Sequence, residues 1–136
     1  MRTFHCLVNP LSGGGAAPAA VVPVARILRD AGAQVEVTYS PGPVACAQLA
    51  REAAARGDVV VAVGGDGMLS SVASAVVESG GLLGIVPSGR GNDFARQLGL
   101  GHDAEDVAHV LLEGEPSEVD VIDAGRRIVL GSVRCV

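Results

Sequence analysis

The sequence contains no lysine; all ten of its basic residues are arginine. That absence excludes the lysine-dependent GxxxxGK[ST] phosphate loop, the strand lysine of protein kinases and Schiff-base chemistry. Tryptophan is also missing and aromatics make up only 2% of the chain, so the stacking platforms that bind unpaired bases are not available. Ten arginines stand against fifteen acidic residues, a net charge of −5. That balance argues against a nucleic-acid partner and against a polybasic membrane anchor. The three cysteines, Cys6, Cys46 and Cys135, are far apart and form no CxxC pair. They make neither a disulfide framework nor a zinc site, and fit a reducing, cytoplasmic setting. His5, His102 and His109 form no HExxH and no ligand cluster. No apolar run approaches the ~18 residues of a membrane span, and the apolar stretch at the N-terminus is too short for a signal peptide.

What is present is a chain of 136 residues, 49% hydrophobic and 18% charged, long enough for one domain with a real core. Strand and helix patterns alternate along it. Phe4 to Val8 reads as a short strand closed by Asn9-Pro10. A helix follows, starting at Pro18 or Pro23 and ending at Ala31, with Val21, Val24 and Leu28 at helical spacing. Pro23 is then either its first residue or a kink, and Gly32 suits a left-handed cap. Val35 to Tyr39 is the second strand. Val44 to Arg56 is an alanine-rich helix stopped by Gly57. Val59 to Val63 is an unbroken apolar run, the mark of a strand buried on both faces of a parallel sheet. Met68 to Glu78 is helical, Leu82 to Val86 another buried strand, Asp93 to Leu98 a short helix and Asp103 to Glu113 a longer one. Val119 to Ile122 and Ile128 to Val133 read as two further strands. This alternation predicts an α/β fold of three layers around a mostly parallel, doubly wound sheet. Ligands in such sheets bind beyond the carboxyl ends of the strands, where the glycine-rich segments after the first, third and fourth strands should converge. The chain ends at Val136 inside a strand-like run, which reads as a chain cut short or as one that once continued into more structure.

Three loops could carry chemistry. Gly64-Gly65-Asp66-Gly67 lies between a buried strand and a helix. Glycines there allow a sharp turn and a close approach to an anion, and free amides at a helix N-terminus favour phosphate. The carboxylate of Asp66 makes sense beside phosphate if Mg²⁺ lies between them, or if it takes a proton from an attacking hydroxyl. The plainer reading is a capping aspartate among turn glycines. In Gly89-Arg90-Gly91-Asn92-Asp93, the Arg90 fork could clamp phosphate oxygens. Asn92 and Asp93 could position the loop or a metal, or simply start a helix. Asn9-Pro10-Leu11-Ser12-Gly13-Gly14-Gly15 offers backbone amides and the Ser12 hydroxyl. Pro18 stands where a dinucleotide fingerprint needs its last glycine. Ser40, at the end of the second strand, points to the same edge but is an ordinary turn residue. Asp120 and Asp123 flank a strand end, and a solvated face is the simpler reading for both.

Taken together, NPLSGGG, GGDG after a buried strand, and PSGRGNDFARQLGL resemble the catalytic domain of diacylglycerol kinases and related sphingosine and bacterial lipid kinases. GGDG alone also marks NAD kinases of the same superfamily, while Asn92-Asp93-Phe94-Ala95-Arg96 narrows the likeness to lipid kinases. The resemblance implies an NAD kinase/diacylglycerol kinase-like N-terminal fold and phosphoryl transfer from ATP, with Mg²⁺, to a lipid hydroxyl such as that of diacylglycerol or a sphingoid base. By position, Asn9, Ser12, Gly13, Ser40, Gly64, Gly65, Asp66, Gly67, Met68, Leu69, Ser70, Gly89, Arg90, Asn92 and Asp93 match nucleotide contacts. Asp66 matches the catalytic carboxylate, and Asp66, Asp93 and Asp120 match candidate metal ligands. Met68 replaces a family Thr, Ser70-Ser71 an Asn-Glu pair and Arg90 a Thr. Family members also continue into a β-rich second domain that supplies lipid contacts; residues 1–136 correspond to the nucleotide-binding half. The expected setting is cytoplasmic with peripheral membrane contact, and a free sheet edge would suit a homodimer. The alternatives are a degenerate nucleotide-binding module without turnover and, less favoured by the NDFAR segment, an NAD kinase.

Overall fold

The computed structural model describes residues 2–10, 16–39, 42–64, 66–87, 104–114, 117–122 and 129–135. Ten elements follow one another: β1 (Thr3–Val8), α1 (Ala16–Asp30), β2 (Gln34–Tyr39), α2 (Pro43–Ala55), β3 (Val59–Gly64), α3 (Asp66–Ser79), β4 (Leu82–Pro87), α4 (Ala104–Glu113), β5 (Ser117–Ile122) and β6 (Val129–Cys135). They build one six-stranded sheet in the order β2-β1-β3-β4-β6-β5. All neighbours are parallel except β5 and β6, which form an antiparallel pair. The doubly wound, mostly parallel sheet expected from the alternating pattern is therefore present. The short helix read over Asp93 to Leu98 lies outside the described residues.

Period-two alternation sends each central strand's side chains to two different cores. Phe4, Cys6 and Val8 of β1, with Val59, Val61 and Val63 of β3, pack against Val21, Val24 and Leu28 of α1 and Val107, Ala108 and Leu111 of α4. Leu7, Val60, Ala62, Leu83 and Ile85 face Cys46, Ala50 and Ala53 of α2 and Leu69, Val72, Ala73 and Val76 of α3. All six residues of β3 are buried, which is why that strand reads as an uninterrupted apolar run. β2, at the edge, alternates exposed Gln34 and Glu36 with half-buried Val35 and Val37.

Three helices end in the same way. Gly32, Gly57 and Gly80 have φ of 93°, 87° and 69°. After α1, the amide of Gly32 donates to the carbonyl of Arg29 at 3.0 Å and that of Ala33 to Leu28 at 3.1 Å. The same pair of bonds recurs after α2 and α3. This is the Schellman closure, which needs one residue in the left-handed region and hands the chain straight into the next strand. One sequence expectation changes. α1 begins at Ala16, so Pro23 is not its first residue but lies inside the helix, on its exposed side, where the other reading put it. The carbonyl a Pro there leaves unpaired can be solvated.

Candidate active site

The winding of the chain selects one place on the sheet. β1 leads into α1 on one face, whereas β3 leads into α3 on the other, and β1 and β3 are neighbours. Their carboxyl ends thus form the switch point of the fold, where connections leave in opposite directions and open a crevice. Asn9 stands at the end of β1, and its backbone amide donates to the Val63 carbonyl of β3 at 3.4 Å. Gly64 is the last residue of β3 and lies opposite Pro87, the last of β4. Tyr39, the last residue of β2, lies opposite Val8 and is half exposed. The strand-end segments after β1, β3 and β4 therefore start side by side.

Only Gly65 separates β3 from α3, whose first residue is Asp66. The N-terminal turn of a 14-residue helix is thus delivered directly to the switch point. Its unpaired amides and the positive end of its dipole favour an anion there. The helix is held in place by Leu69, Val72, Ala73 and Val76, all buried against the sheet. Leu69 is a core residue, 4% exposed, while Ser70 and Ser71 are half-buried. Of the expected contacts, the structure brings Asn9, Gly64, Asp66, Gly67, Met68, Leu69 and Ser70 to this edge as backbone positions. Ser12, Gly13, Ser40, Gly65, Gly89, Arg90, Asn92 and Asp93 lie outside the described residues.

Asp120 is not brought to this edge. It pairs with Ser132 in the β5–β6 ladder, and β6 meets β4 through Arg134 opposite Leu82 and Cys135 opposite Leu83. That register sets Asp120 beyond the first residue of β4, whereas Gly64 lies level with the last. At ~3.3 Å per residue the two are separated by about 20 Å along the strands. Mg²⁺ bound with a nucleotide takes most of its oxygens from water and phosphate and needs only one or two protein carboxylates; Asp66, the first residue of α3, is the acidic residue nearest in sequence to the end of β3.

Two polar arrangements escaped the sequence reading. Arg2 donates from Nη1 to the Leu111 carbonyl at 2.8 Å and from Nη2 to the Gly114 carbonyl at 2.7 Å, closing the C-terminal end of α4. His5 is 3% exposed inside β1 and is bonded to Thr38 and Arg56. A polar residue within the apolar alternation of β1 was the available signal.

The strand order and the helix that starts two residues after the end of β3 define a doubly wound α/β protein. A family model for the diacylglycerol kinase catalytic domain matches residues 3–124. The chain belongs to that family. It is 33% identical over 125 residues to a probable YegS-like lipid kinase of Klebsiella pneumoniae, covering 89% of this chain and 42% of the relative. It is 35% identical over 117 residues to a diacylglycerol kinase of Mycobacterium tuberculosis, covering 85% and 38%. A crystal structure of a diacylglycerol kinase from Bacillus anthracis superposes with a TM-score of 0.69 at 23% identity, over 88% of this chain and 42% of that one. The chain thus spans less than half the length of these relatives.

Proposed function

We propose that this chain is the nucleotide-binding half of a lipid kinase, carrying ATP at the β1/β3 switch point. The observation that carries the reading is that β3 ends at Gly64 and α3 begins at Asp66, beside the end of β1. Phosphates seated there would meet backbone amides and the helix dipole, which takes over the task of the missing lysine. Asn9, just after β1, and Ser70 on α3 would border the same seat, and Ser12, Gly13, Ser40, Arg90, Asn92 and Asp93 would complete it. Mg²⁺, held by Asp66 together with phosphate oxygens, would neutralise charge on the nucleotide.

In the reaction, the hydroxyl oxygen of the lipid attacks the γ-phosphorus in line and the β–γ bridging oxygen leaves with ADP. The hydroxyl proton goes to the Asp66 carboxylate, or to solvent where Asp66 instead ligates Mg²⁺. Catalysis of this kind depends on position and charge rather than on a covalent intermediate. Diacylglycerol is the acceptor class favoured by the family, and recognition of its acyl chains would fall to the additional length that the relatives have. Among the described residues no helix is long and apolar enough to cross a membrane. A lipid substrate would bring the chain, as a cytoplasmic protein, to the membrane face, and the open edge of β2 is the natural surface for a second copy.

Calorimetric titration with MgATP tests the nucleotide site. The chain should bind saturably, Gly65→Val should abolish binding by filling the turn, and Asp66→Asn should retain nucleotide but lose transfer to diacylglycerol in mixed micelles. A folded chain that binds no nucleotide overturns the reading. Binding without transfer to diacylglycerol, sphingoid bases or NAD would favour a nucleotide-binding module without turnover. Ser70 and Ser71, which stand where the resemblance has an Asn-Glu pair, give that second reading its support.

A further inference from the structure

At the other end of the sheet, His5 sits among groups from three segments. It lies directly opposite Glu36 in the β1–β2 ladder. Its Nε2 is 2.8 Å from Thr38 Oγ1. Its Nδ1 is 3.1 Å from Arg56 Nη2, on the residue that caps α2, and 3.8 Å from Glu36 Oε2. Arg56 is also bound to Asp58 Oδ2, from Nε at 3.3 Å and Nη2 at 3.1 Å, and its Nη2 is 4.0 Å from Glu36 Oε2. Glu52 of α2 adds a more distant negative charge.

The protons follow from these partners. A guanidinium can only donate, so Nδ1 of the neutral imidazole must accept from Arg56. The ring proton is then on Nε2 and is donated to Thr38 Oγ1. A second proton can enter only at Nδ1, which destroys the acceptor that Arg56 uses. The nearest alternative partner for the new N–H is the Glu36 carboxylate, already beside it. Arg56 keeps its two bonds to Asp58.

We propose that His5, Arg56 and Glu36 form an acid-operated partner exchange, in which protonation turns Nδ1 of His5 from Arg56 to Glu36. The exchange removes the tie between the end of α2 and β1, and adds one between β1 and the edge strand β2. The His5 side chain is 4% exposed, so the proton is taken up inside the fold, whereas Glu36 and Arg56 are 67% and 51% exposed and free to rearrange. Burial and the Arg56 charge hold the His5 pKa below its usual value, while Glu36, Asp58 and Glu52 oppose that shift. The exchange therefore belongs to mildly acidic conditions.

The test is an NMR titration of the imidazole nitrogens in the whole chain, with two surface variants that leave the core intact. The wild type should show an unprotonated Nδ1 at neutral pH and a His5 pKa below 6.5. Glu36→Gln should lower that pKa further, because the charged form loses its acceptor. Arg56→Gln should raise it, because the neutral form loses its charged donor. Protection of the Gly57 and Asp58 amides, which close α2 on Ala54 and Ala53, should fall through the titration in wild type and respond less in Arg56→Gln. An unprotonated Nε2 at neutral pH, or shifts of the same sign in both variants, would overturn the proposal.

Discussion

Replacing Arg2 by methionine should cost the fold about 2–3 kcal/mol, although the residue lies outside both cores and touches no part of the candidate site. The last four carbonyls of a helix have no partner within it. In α4 those of Leu111 and of the following Gly114 are taken up by the two arms of one guanidinium, at 2.8 and 2.7 Å. A hydrogen bond to a charged group is worth ~1.5–3 kcal/mol. A cation at a helix C-terminus adds ~0.3–1 kcal/mol. The two bonds share one charge, and the site is only partly buried, so solvent screening brings the sum down to the figure stated. Methionine keeps the unbranched stem and its packing while removing the donors. Unfolding entropy of ~2.1 cal/mol/K per residue over 136 residues is about 0.29 kcal/mol/K. The loss therefore corresponds to a fall in Tm of roughly 7–10 °C. Arg2→Lys keeps the charge but cannot reach both carbonyls with a planar fork, and should recover about half. Urea denaturation of the three proteins, with the slope compared to confirm two-state behaviour, measures both effects. The reasoning fails if Arg2→Met stays within about 0.5 kcal/mol of wild type, or if lysine is no better than methionine.

Gly80→Ala and Gly81→Ala should both destabilise, for different reasons. A Cβ on Gly80 meets open space but must adopt φ +69°, costing about 1 kcal/mol. One on Gly81 lies 2.9 Å from the Ala54 Cβ and should cost about 1–3 kcal/mol. A double-mutant cycle of Gly81→Ala with Ala54→Gly should show favourable coupling, whereas Gly80→Ala with Ala54→Gly should show none. Burial pushes the Cys6 thiol up to about 12, and Cys46 is buried as well. Ellman's reagent should therefore modify neither in the native protein and both in guanidinium chloride; rapid native labelling at Cys6 would contradict the packing. Since the folded pKa of His5 is depressed, the unfolded chain binds its proton first. Stability should fall as pH drops below 6.5, and His5→Gln should flatten that part of the urea midpoint curve.

The sequence alone determined the class of fold and the segments that carry chemistry. Parallel strands buried on both faces must be apolar throughout, so Val59 to Val63 declared itself. Helix ends that need a left-handed residue show a glycine, so the stops at Gly32 and Gly57 were legible. The glycines and aspartate after β3 could be read for the same local reason, and with NPLSGGG and NDFAR they were enough for the family. The start of α1 at Ala16 was not legible, because an exposed Pro23 inside the helix frees a carbonyl that solvent can satisfy. Only the tertiary structure decided which of the strand ends are neighbours. The order β2-β1-β3-β4 puts Asn9 beside Gly64, and the hairpin register carries Asp120 away from both. Arg2 and Leu111, or His5 and Arg56, meet across 109 and 51 positions of sequence. Periodicity reports which side of an element is buried, but the partner across the gap depends on strand order and on how each helix end is cut.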